Sequence, residues 1–139
     1  MAGSSEALGS DAARSHVRLR LTILYMRAVA VLLLLVGLAR ACQVLGIVPQ
    51  GQETFADLTP AMRAGAVTLL IGDLLASVGL WIGAAWGPVM WAVALAIEVA
   101  MYTLFSDVFG SYPLRVVVHV SLFAGFLALS FVEWRRTLD

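Results

Sequence analysis

Four ionisable side chains stand inside long apolar stretches of this chain: Arg40, Asp73, Glu98 and His119. A charge in such surroundings is costly, turns toward a protein interior and needs a partner. Two chemistries fit these residue types. In the first, Arg40 pairs with Asp73 or Glu98, the remaining carboxyl carries a proton, and His119 hydrogen-bonds the group, so the cluster ties helices together. In the second, Glu98, Asp73 and His119 form a proton relay or bind a cationic substrate, as in proton-coupled transporters. Other chemistry is poorly served. Bis-histidine haem ligation needs a second histidine at depth, and the other one, His16, precedes the first apolar run. A metal on His119, Glu98 and Asp73 finds no ligand spacing within one helix. Neither a phosphate-binding glycine loop nor a nucleophile elbow is present. No cofactor, metal or catalytic residue is therefore assigned, and an enzyme built on His119 with Glu98 is the weakest reading.

The elements that must position these groups follow from composition. Of 139 residues, 61% are apolar and only 13% charged, and the mean hydropathy is +0.93. A soluble domain is about half apolar and about a quarter charged, so the surplus predicts lipid as the solvent. All nine cations are Arg, matched by nine acids, which removes the basic footprint of a nucleic-acid binder. The single cysteine, Cys42, excludes an intramolecular disulfide framework.

The expected fold is an all-α, integral membrane four-helix bundle, antiparallel and up-down, with short loops. Residues 1–16, rich in Gly, Ala and Ser, read as a disordered tail, and residues 17–139 as a single four-span domain. The first span covers about 21–47, with Arg27 and Arg40 bracketing an unbroken apolar run. Thr59-Pro60 is a helix start, a hydroxyl N-cap followed by proline at the first helical position. The second span covers 61–86 and is stopped by Gly87-Pro88; the third covers 89–104 and the fourth about 114–133. Helical rise puts Asp73 about 18 Å from either end of its span and Glu98 about 14 Å into its own. Arg40 and His119 lie about 10 Å and about 8 Å below the outer ends of theirs. The four groups thus fall between the midplane and the outer surface.

Helices associate in lipid through small residues and polar contacts, because apolar burial gains little there. Gly65, Gly72 and Gly79 recur every seven residues in span two, with Ala76 and Gly83 on the same stripe. Ala92, Ala96 and Ala100 in span three and Ser121, Gly125 and Ala128 in span four offer further close-approach faces. These stripes serve packing within the bundle or docking of another membrane subunit or a second copy of the chain. Trp81, Trp86, Trp91 and Trp134 read as an interfacial aromatic belt. Arg14, Arg18 and Arg20 before span one, with Arg135 and Arg136 after span four, predict both termini in the cytoplasm.

Trp86-Gly87-Pro88-Val89-Met90-Trp91, Ile97-Glu98-Val99-Ala100-Met101-Tyr102, Phe109-Gly110 and Pro113-Leu114 leading to His119 form a set of short motifs. With Tyr25, Arg27 and Gly79-Leu80 they extend over Leu24 to Phe131. In these the chain resembles an uncharacterised family of small bacterial four-helix inner-membrane proteins. The resemblance implies a bacterial inner-membrane protein and attaches no activity to it. The resulting expectation is a non-enzymatic accessory or scaffolding subunit; the alternative is a small proton-coupled transporter with Glu98 or Asp73 as coupling carboxyl.

Overall fold

The structure is a computed structural model. It describes the backbone of residues 2–47, 49, 54–110 and 112–136; the side chains at 2–15, 18, 133, 134 and 136 lie outside the description. Helix α1 runs Ala2–Val44, α2 Pro60–Trp81 and α3 Trp86–Val99; α3 continues as a π-helical turn, Ala100–Leu104. A single turn, α4, covers Ser106–Phe109, and α5 covers Pro113–Arg136. Among the described residues, four segments are long and apolar enough to cross a bilayer: Leu19–Val44, Pro60–Trp81, Trp86–Leu104 and Pro113–Val132. The protein is an all-α, multi-pass membrane bundle. Its outward surface is apolar, with Leu24, Leu35, Ile71, Val89 and Val117 among the exposed side chains, as a lipid-facing surface requires.

Three boundaries differ from those read in the sequence. Residues 2–16, expected to be a disordered tail, are helical and continuous with the first span. Propagating an existing helix avoids the nucleation cost, and Ala, Glu, Leu and Arg in this stretch favour it. Span two ends at Trp81, not Trp86. Its stop is Gly83, at φ +69°, where Ala84 N–H donates to the Gly79 carbonyl at 2.9 Å; this left-handed glycine closes the helix. Gly87 and Pro88, expected to break span two, instead occupy the first turn of α3, where proline's missing N–H costs nothing. At the other end of α2 the Thr59 side chain accepts from Met62 N–H at 3.3 Å, with Pro60 following.

Small residues set the helix spacing. A Cβ on Gly87 would lie 2.6 Å from Leu80 N, and one on Gly79 would lie 2.6 Å from Gly87 Cα, so α2 and α3 touch backbone to backbone. Gly72 faces Ala94 across the same interface, and Gly65 faces Met101 and Phe109. Gly83 packs against nothing, because it is the turn. Between α1 and α2, Gly37 receives Leu74, and Ser77 Oγ donates to the Ala30 carbonyl at 2.8 Å. Helix α5 is held more lightly: none of the residues of its membrane-crossing stretch is buried. Gly125 there admits the ring of Tyr25, whose hydroxyl donates to the Leu122 carbonyl.

The apolar core is Val29, Ala30, Leu33, Ala76, Leu80 and Trp91. Trp91, expected in an interfacial belt, is 1% exposed. Once α3 begins at Trp86, residue 91 is about 7 Å along the helix, past the interface. Trp81 and Trp86 are exposed, and Arg27 lies over the Trp81 ring at 5.5 Å. The side chain of Trp134 is outside the described residues.

Candidate functional site: an ion network inside the bundle

Each of the four long helices supplies a member of one polar cluster: Arg40 from α1, Asp73 from α2, Glu98 from α3, and His119 with Arg115 from α5. Asp73 and Glu98 are each 1% exposed and Arg40 is 7% exposed. Glu98 is the hub. Its Oε1 lies 3.0 Å from Arg40 Nη2 and 3.0 Å from Arg115 Nε. Its Oε2 meets His119 Nδ1. On the far side of the imidazole, Trp91 Nε1 approaches His119 Nε2 at 2.9 Å.

Donor chemistry fixes the protons. An indole N–H only donates, so His119 Nε2 must be the acceptor and the imidazole is neutral. Its proton sits on Nδ1 and is donated to Glu98 Oε2. Both Glu98 oxygens then accept, three times in all, and the group is a carboxylate. Charge-assisted bonds of this kind are the strong ones. Two arginines thus face two carboxyl groups, and pairing of this kind is the condition under which such groups are tolerated in hydrocarbon.

Asp73 is less well served. Its Oδ2 is 3.5 Å from Arg40 Nε. At that separation the charges attract, but neither atom has a hydrogen bond. Arg40 therefore engages both carboxylates, bonding Glu98 and only pairing with Asp73. Arg40 and Glu98 form one of the two expected pairs, His119 is bonded to the same carboxyl, and Glu98 draws a second cation, Arg115, that was not expected. Among the described residues, no three His, Cys, Asp or Glu side chains gather to hold a metal.

Two members had no distinguishing mark in the sequence. Arg115 stands at a helix start, where a charge is ordinary, and Trp91 resembles its belt neighbours. The packing residues fall elsewhere: Gly72 and Gly79 line the α2–α3 contact, and Gly65 lies against Met101 and Phe109. The π-helical turn begins two residues past Glu98, with Phe105 N–H donating to the Ala100 carbonyl at 3.1 Å. Such turns insert an extra residue and are frequent at functional sites. Here the turn carries Tyr102, whose ring meets Tyr112 edge-on at 5.5 Å. Outside the spans, Thr54 donates to Asp57 from its N–H and its hydroxyl, which lowers the Asp57 pKa below the usual carboxylate value.

The Trp91 bond makes a separable prediction. In Trp91→Phe, His119 Nε2 loses its donor, at a cost of about 1–3 kcal/mol for the orphaned acceptor and the lost packing. Imidazole nitrogen NMR should read a single Nδ1–H tautomer in the wild type and a mixture or an imidazolium in the variant. An unchanged spectrum would mean that Trp91 does not set the tautomer.

Comparisons with curated proteins and with solved structures yield no match. A family model does match, over residues 20–137, nearly the whole of the helical bundle. The chain belongs to that family, a family of unknown function (DUF6163).

Proposed function

We propose that the protein is a non-enzymatic accessory or scaffolding subunit of a membrane assembly, with its polar cluster serving as the internal tie of the bundle. The observation that carries this reading is the convergence on Glu98: three donors from two neighbouring helices, Arg40 of α1 and Arg115 and His119 of α5, meet its two oxygens and tie α3 to both. Short connections between the spans leave no room for an external catalytic domain. The lightly held α5, with Ser121 and Ala128 exposed, is the natural face for a partner subunit or a second copy. The five arginines flanking the first and last spans support termini in the cytoplasm, and the resemblance to small bacterial inner-membrane proteins supports residence in such a membrane.

A second reading has its own observation. The unbonded Oδ2 of Asp73 is an open acceptor near mid-membrane, so a small proton-coupled transporter would use Asp73, not Glu98, as its coupling carboxyl.

The readings part on two measurements. As a tie, Arg40→Ala or Asp73→Ala lowers membrane abundance, and a gentle-detergent pull-down of the wild type recovers a stoichiometric membrane partner or a homo-oligomer. Normal accumulation of both variants would sink the tie. As a transporter, Asp73→Asn folds normally but abolishes proton-linked flux in proteoliposomes.

A further inference from the structure

Beside the ion network is a cavity of about 210 Å³ on the membrane face opposite the termini. Arg40, Gln43, Tyr102, Tyr112 and Arg115 give it polar walls, and Met62 and Phe109 help to close it. Arg40 spends Nη2 on Glu98 and turns Nε toward Asp73 at 3.5 Å, so little of it is left for another anion. Arg115 spends Nε, while its side chain is 42% exposed and begins two residues into α5, at interfacial depth. Guanidinium donors left over at a membrane interface suit an oxyanion. The carboxylates that accompany them, Glu98 and Asp73, are each 1% exposed.

A second cavity, about 490 Å³ and almost wholly apolar, adjoins the first and shares Tyr112 and Arg115 with it. It is a groove between α1 and α5, walled by Leu32, Leu33 and Val36 on one side and Leu114, Val118 and Leu122 on the other. From Leu114 to Leu122 it follows about 12 Å of helix. A polar chamber edged by an exposed arginine, next to an apolar groove that runs along the membrane-crossing part of α5, has the shape and charge of an amphiphile site.

We propose that these adjoining cavities bind one anionic lipid, its phosphate on Arg115 beside Tyr112, and an acyl chain in the α1–α5 groove. The occupant is set by charge complementarity: the two carboxylates are each 1% exposed and the charge the cluster presents outward is Arg115, to which a zwitterionic headgroup would bring its own cation, while a net anion would not. The inference is independent of the accessory-subunit reading and does not require a protein partner.

The test uses the full chain in nanodiscs, with spin-labelled phosphatidylglycerol and phosphatidylcholine as probes. The wild type should retain the anionic probe preferentially, by about fivefold for the cluster's one exposed arginine. Arg115→Gln should bring the ratio close to one, and Arg115→Lys, which keeps the charge, should preserve most of the preference. The lysine variant also separates loss of charge from loss of fold. Equal retention of both probes by the wild type, or a preference unchanged in Arg115→Gln, overturns the proposal. Displacement of the anionic probe by millimolar inorganic phosphate would instead identify a site for a free anion and overturn the lipid assignment.

Discussion

Glu98→Ala is expected to lose roughly 3–5 kcal/mol of stability, the cost of stranding buried charge by removing its partner. The substitution orphans Arg40 Nη2, Arg115 Nε and His119 Nδ1 together, since all three converge on one carboxylate. Arg115 can turn to solvent, but Arg40, with a side chain 8% exposed, cannot do so without moving α1. It has only the poorly aligned Asp73 to fall back on. Thermal unfolding in mild detergent reads the effect directly. Glu98→Gln should fall between alanine and wild type: its carbonyl can still accept from one arginine, but its amide brings a donor into a ring of donors. A Glu98→Ala melting curve that superimposes on the wild type would remove the network from its structural role. The arithmetic predicts a compensation too. Arg40→Leu with Asp73→Leu deletes one charge of each sign, so the double variant should be less destabilised than the sum of its parts.

The four-span architecture was legible because the bilayer is a severe filter: apolar runs of this length have few other uses. Arg40, Asp73, Glu98 and His119 stood out for the same reason, as charges where charge is expensive. Helical rise alone placed them at comparable depth, and depth is what lets groups from four helices meet. Which atom meets which was not legible. Rise gives height but not azimuth, so nothing in the spacing foretold that Glu98, not Asp73, would be the hub. Arg115 stayed hidden because an arginine at an interface is ordinary, although its side chain reaches inward to Glu98. Trp91 was misplaced by a boundary. With the turn set at Gly87-Pro88 it lies near the surface, and with the turn set at Gly83 it lies inside. Proline was the misleading signal, since it tolerates the first turn of a helix as readily as it ends one. The mistake at residues 2–16 is of another kind, because composition reports the cost of ordering a free segment, whereas this one extends a helix already formed.

Gly87→Ala tests whether the α2–α3 contact is as close as backbone meeting backbone implies. A Cβ there would lie 2.6 Å from Leu80 N and 2.9 Å from the Gly79 carbonyl oxygen, and neither atom belongs to a side chain that can rotate away. The helices must separate along their shared seam, which also opens the Gly72–Ala94 contact below. Overpacking of this kind costs typically about 1–3 kcal/mol, and the loss of close packing matters more in lipid, where apolar burial contributes little. Gly72→Ala is the graded comparison: its Cβ would sit 3.2 Å from Ala94 Cβ, a clash a slight shift can relieve, so its melting point should fall much less. Gly83→Ala meets no atom at all. Its cost should come only from placing alanine at φ +69°, about 1 kcal/mol. The expected order of destabilisation is therefore Gly87, then Gly83 and Gly72. Equal and small losses at all three would show that the seam can yield, and that the ion network, not the glycine contact, sets how far α3 stands from α2.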